Sequence, residues 1–181
     1  QDFFGMGLLG KALVTSGRKL PPHVASITAS GAASHLTKYS NVTDMRIPQK
    51  MLIIDDSLVP PAALFDYSTT LSCPADLTMD GAFDGVSHSL EVYMGLSREM
   101  LANGEPFCLT GIELIISSVK RAVADPADKG AREALGLGTD LDELGGLKTV
   151  QSPYADGEVL IAMPALKLDA ALLHVNASDW R

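Results

Sequence analysis

The chain has 181 residues, 46% hydrophobic and 20% charged, which supplies enough apolar surface for a packed core and excludes a disordered chain. A net charge of −8 with no clustered Lys or Arg run excludes a surface built for phosphate backbones, so nucleic acid is not an expected partner. No stretch approaches the roughly 20 apolar residues of a membrane span, and the opening Gln1-Asp2-Phe3-Phe4 lacks a signal-peptide pattern, so a cytoplasmic, non-membrane protein is expected.

No Met opens the chain, which leads to the expectation that it begins mid-domain. Cys73 and Cys108 form no CxxC motif and read as free, buried thiols.

Leu8, Leu9, Ala12 and Leu13 fall at helical spacing and predict a short helix ending near Ser16-Gly17. Lys19-Leu20-Pro21-Pro22 is a break. Residues 23–27 then read as a short buried strand running into a small-residue stretch at 28–34. Residues 36–44 and 49–55 are β-prone and flank Met45-Arg46-Ile47-Pro48, the pattern of a hairpin. A second break at 56–61 precedes a strand expected at 63–66.

From Ser72 the spacing becomes helical. A helix starts in 74–81, and 82–94 reads as its continuation or as the next one. Pro106 fits the first turn of a further helix reaching Val123, with Leu109, Ile112, Ile116 and Val119 at helical spacing. Asp125-Pro126 ends it. A shorter helix is expected at 127–137, with Lys129, Arg132 and Glu133 on its wet side. The Gly-rich, acidic stretch 136–146 is the candidate boundary, and 158–162 and 170–175 read as buried strands. The predicted fold class is therefore α/β, with a β-rich piece at 1–71, helices at 72–143 and a short β-containing tail at 147–181.

The sharpest local signal is Asp84-Gly85-Val86-Ser87-His88. On a helix, residues i and i+4 share a face, so a carboxylate oxygen and an imidazole nitrogen would converge on one point. Both are ligand types for Zn²⁺ or Fe²⁺. The same spacing also suits a plain Asp–His contact on a solvated face. The second signal, Thr28-Ala29-Ser30-Gly31-Ala32-Ala33-Ser34, combines small side chains, hydroxyls and a Gly after a strand. It suits close approach to a flat or phosphorylated ligand, and equally a tight turn. His23, His35 and His174 read as structural or surface residues, and no nucleophile elbow is present.

Taken together in order, these segments resemble the iron-containing alcohol dehydrogenases. Residues Ile27-Thr28-Ala29-Ser30-Gly31-Ala32-Ala33-Ser34-His35-Leu36-Thr37 are similar to that family's TTxGTGSEVT segment, and Asn41-Val42-Thr43-Asp44 to its VITD. Lys50-Met51-Leu52-Ile53-Ile54-Asp55 and Pro60-Pro61-Ala62-Ala63-Leu64-Phe65-Asp66 follow in the family's spacing. Gly81-Ala82-Phe83-Asp84-Gly85-Val86-Ser87-His88-Ser89-Leu90-Glu91-Val92-Tyr93 then resembles its GxDALTHAIEAY signature. The resemblance covers residues 20–143.

It implies a partial Rossmann-like NAD(P)-binding domain at 1–71 and an incomplete helical metal-binding segment at 72–143. Asp84 and His88 match two ligands of an Fe²⁺ or Zn²⁺ ion. Thr28, Ser30, Gly31, Ala32, Lys50 and Leu71 match positions lining the cofactor. The implied activity is hydride transfer between NAD(P) and a small alcohol or aldehyde, with the metal as Lewis acid. Family members are often dimers, which makes a homo-oligomer an expectation.

Three departures stand out. The family's GGGSxxD segment finds no counterpart by sequence, its two further metal-ligand histidines are missing after His88, and its GTGSE Glu is replaced by His35. Residues 147–176, for their part, resemble the α subunit of glutaconate-type CoA-transferases. A join near Gly145-Gly146, giving a truncated or fused dehydrogenase, is the resulting expectation. The alternatives are a CoA-transferase-related acyl-CoA module or a non-catalytic remnant.

Overall fold

The computed structural model describes residues 3–31, 33–149, 158–161 and 172–174; Ala32 lies outside the described residues. The chain is α/β, as its composition and periodicities predict. Its strands form two small sheets, and three long helices pack beside them.

Strand β1 (Gly5–Met6) leads through Gly7 into helix α1 (Leu8–Ser16), which ends at Gly17 in the left-handed conformation, φ 65°. That cap satisfies a last-turn carbonyl, since Gly17 N donates to Val14 O at 3.3 Å. The hairpin is formed as expected by β3 (Tyr39–Asp44) and β4 (Gln49–Ile54), antiparallel with Thr43 opposite Lys50. Strand β1 pairs parallel to β4, giving the order β1-β4-β3.

The second sheet has the order β2-β5-β6-β7, built from β2 (Val24–Ser26), β5 (Ala62–Phe65), β6 (Glu158–Ile161) and β7 (Leu172–His174). Strands β2, β5 and β6 are parallel, and β7 returns antiparallel. The parallel step from β5 to β6 is long enough to hold α2 (Ala75–Gly95), α3 (Arg98–Ala124) and α4 (Lys129–Thr149).

Residues 75–95 form one helix, α2, so 82–94 continues the helix begun before it, one of the two readings the sequence left open. Other expectations are corrected. Pro106 sits well inside α3, which already begins at Arg98. The lost Pro106 hydrogen bond is tolerated because the first turns are held by packing: a Cβ on Gly104 would meet Leu96 Cδ2 at 2.7 Å. The inward stripe of α3 is Gly104, Cys108, Gly111, Ile115, Ser118 and Ala122, whereas Leu109 and Ile116 are exposed. Small residues win that face because the helices approach closely. A Cβ on Gly111 would lie 2.9 Å from Gly138 O, and one on Gly138 2.9 Å from Gly111 O.

That contact also explains Gly138, while Gly136 admits the Tyr67 ring. The backbone of α4 runs without a break through 136–146 to Thr149. Nor are Arg132 and Glu133 on the wet side; both are buried, at 1% and 4% exposed. Arg132 reaches inward, donating from Nη1 to Thr78 Oγ1 at 2.6 Å and from Nη2 to Cys73 O at 3.1 Å. The apolar centre of the helices is Ala82, Ile115, Ala122, Ala131 and Leu135, with Val86 and Val119 against it. Cys73 and Cys108 are buried and form no disulfide among the described residues, as predicted.

Candidate functional site

Strand β2 ends in a tight loop because Gly31 adopts φ +90°, a conformation that favours glycine. The loop lies directly on α2. A Cβ on Gly31 would stand 2.6 Å from Gly81 O and 2.8 Å from Gly81 Cα, and one on Gly81 would overlap Ser30 O. Two glycines therefore bring the small-residue loop against the helix that carries Asp84 and His88.

Below the loop sits a buried polar cluster. Asp140 Oδ2, on α4, meets His35 Nε2 at 3.1 Å and accepts from the Tyr67 hydroxyl at 2.8 Å. The His35 and Asp140 side chains are both fully buried. Burial, then the charge of Asp140 and the hydrogen bond to it, push the Tyr67 phenol well above its ordinary range. The His35 ring packs edge-on against Phe65, centroids 4.8 Å apart. Gly136 leaves room for the Tyr67 ring, which a Cβ there would overlap. Among the described residues, His35 Nδ1 and Asp140 Oδ1 have no hydrogen-bond partner.

An open cleft of about 830 Å³ lies between the loop, the hairpin and α2, lined among others by Gly31, Ser34, Tyr39, Asn41, His88 and Glu91. Asp84 lies one helical turn before His88, with Oδ1 3.9 Å from His88 Nε2. Their side chains are 56% and 48% exposed, so both are open to a ligand. A carboxylate and an imidazole on one face suit Zn²⁺ or Fe²⁺ and supply two of four positions. Among the described residues no group of three or more His, Cys, Asp or Glu is placed to hold an ion.

Of the other residues singled out by sequence, Ser30 is buried beside Gly81, while Thr28 is exposed in the loop two residues after β2. Lys50 is exposed on β4, and Leu71 is half-buried after a 3₁₀ turn at Tyr67–Thr70. None of these four lines the cleft.

Sequence reading missed the strand–glycine–helix turn at Gly5–Leu8, for which Gly5-Met6-Gly7 was the available signal. At its helix end, Asp55 Oδ2 accepts from Gly10 N at 2.6 Å. Burial raises the Asp55 pKa, but hydrogen bonds from Ser57 and from Gly10 N outweigh it and hold the carboxyl below its usual range.

No family model matches the chain. It is 30% identical over 134 residues to the NAD-dependent methanol dehydrogenase of Bacillus methanolicus, covering 74% of this chain and 33% of that protein. It is 32% identical over 111 residues to alcohol dehydrogenase 4 of Saccharomyces cerevisiae, covering 61% of this chain and 28% of that one. In three dimensions it is similar to a 1,3-propanediol oxidoreductase, with a TM-score of 0.66 and 25% identity over 79% of this chain and 35% of the other.

These relatives are iron-containing alcohol dehydrogenases.

The chain spans a third or less of the length of these curated relatives. They lend no support to the CoA-transferase resemblance of the tail. Among the described residues, no helix is long and apolar enough to cross a membrane.

Proposed function

We propose that this chain contributes to a metal-dependent, NAD(P)-linked oxidoreductase that moves a hydride between nicotinamide and a small alcohol or aldehyde. The observation that carries this reading is the cleft lined jointly by Gly31 and His88, with Asp84 3.9 Å from His88. The dehydrogenase relatives support the same chemistry.

In this reading Asp84 and His88 hold a Zn²⁺ or Fe²⁺ ion, which supplies Lewis acidity to a substrate oxygen when bound. Gly31, with no side chain, lets a flat ring approach the loop backbone. Ser34 and Asn41 offer hydroxyl and amide groups to polar edges of the cofactor or substrate. Thr28, Ser30, Lys50 and Leu71 are assigned to the more distant parts of NAD(P), beyond the cleft. The Gly31–Gly81 contact and the His35–Asp140 bond hold the loop in one position, which keeps the reacting groups oriented.

Elemental analysis of the purified chain beside His88→Ala tests the metal pair. Bound iron or zinc that the variant loses supports it, and no metal in either protein rejects it.

A further inference from the structure

The Gly31 loop holds a second residue with positive φ. Ala33 adopts φ 38°, which L side chains rarely take, and among the described residues it is the one non-glycine to do so. Ala33 is buried, and with Gly31 and Ser34 it lines the cleft. Backbone strain of this kind persists only where the surrounding structure holds it in place.

The loop is held at both ends. On one side Ser30 and Gly31 rest on the Gly81 backbone of α2. On the other, His35 Nε2 lies 3.1 Å from Asp140 Oδ2 on α4. Asp140 is itself fixed by the Tyr67 hydroxyl at 2.8 Å, and Phe65 packs edge-on against the His35 ring. Leu36 N donates to Ala33 O at 2.9 Å, which closes the turn around Ser34 and His35. Ala33 and Ser34 thus lie between a glycine contact, fixed by shape, and a hydrogen bond that one side chain makes.

We propose that His35, through its bond to Asp140, is a positioning residue for the cofactor: it holds Ala33 in its strained conformation and so keeps Ser34 in the cleft wall. This rests on the nicotinamide reading of the cleft given above, and it extends control of that cleft to α4. Without the bond, Ala33 relaxes toward negative φ and the loop leaves the shape that binds. The apparent Kd then rises by the inverse of the fraction of chains still in that shape.

The test is a double-mutant cycle on NADH binding by the full chain, followed by nicotinamide fluorescence. His35→Leu removes the bond while filling the space, and His35→Gln keeps an N–H for Asp140. The Leu variant should bind NADH about tenfold more weakly or worse, and the Gln variant within about threefold of the parent. Glycine takes positive φ without strain. In an Ala33→Gly background the same His35→Leu change should therefore cost only about threefold or less. A merely structural role for His35 predicts the same loss in both backgrounds, and that result would overturn the proposal. Unchanged binding in His35→Leu would overturn it too. If circular dichroism shows that His35→Leu does not fold, Asp140→Asn takes its place. That change keeps the side-chain shape and weakens the acceptor by removing its charge, and the same shrinkage in the Ala33→Gly background is expected. No saturable NADH binding in the parent would remove the cofactor reading and this role together.

Discussion

Gly31 and Gly81 touch backbone to backbone: a Cβ on Gly31 would sit 2.6 Å from the Gly81 carbonyl oxygen. This contact seats the small-residue loop on the helix bearing Asp84 and His88, and it depends on two residues without side chains.

Gly31→Ala should therefore be costly. The substitution adds strain at φ +90° and a clash with backbone that cannot swing away. Together these predict a loss of about 2–4 kcal/mol, measurable by urea unfolding. An exposed glycine in open space, Gly95, serves as the control, and Gly95→Ala should leave stability unchanged or slightly raised.

The buried cluster makes a second prediction. Asp140→Ala strips the partner from His35 Nε2 and from the Tyr67 hydroxyl at once, which should cost about 3 kcal/mol or more. Tyr67→Phe removes one donor and leaves Asp140 its contact with His35, so it should cost roughly 1–2 kcal/mol. The same unfolding assay ranks the two.

The pH dependence follows from Tyr67. Its folded pKa is raised above the unfolded value of about 10. Its contribution to stability is fully present below that unfolded value and is lost as pH rises through the folded one. Alkaline denaturation should thus set in above about pH 10. Tyr67→Phe should flatten that alkaline loss in a thermal melt series. Asp55 acts at the other end. Its folded pKa is lowered, so its contribution is present above about pH 4 and is lost as pH falls through the folded value.

Arg132 gives a prediction that its helical position alone would not. Arg132→Ala leaves Thr78 Oγ1 and Cys73 O without their donors and opens a void beside α2. A loss of about 3 kcal/mol is expected, with Arg132→Lys recovering only part of it because the fork geometry is gone.

What could be read from the sequence was local. The short helix with its Gly17 cap, the hairpin around Met45–Pro48 and the strand at β5 each announce themselves within ten residues. So does the i, i+4 pair Asp84–His88, and the structure brings the two within 3.9 Å. What could not be read was decided by distant partners. His35 looks like any lone histidine until Asp140, 105 residues later, is packed against it. Arg132 and Glu133 follow a surface-like pattern, yet the tight approach of α3 and α4 buries them. The glycines at 136 and 138 look like a linker by composition. Their actual roles are to admit the Tyr67 ring and the Gly111 backbone, and neither neighbour is visible in the local sequence.

The central claim is that the cleft between the Gly31 loop and α2 takes a nicotinamide cofactor. Titration of the purified chain with NADH, followed by nicotinamide fluorescence, tests it most directly when set beside Ser34→Trp. Ser34 is exposed and lines the cleft, so the indole should fill the space without disturbing the core. Saturable binding in the parent and at least tenfold weaker binding in the variant is the predicted result. No saturable binding in the parent, or equal binding in both, would contradict it.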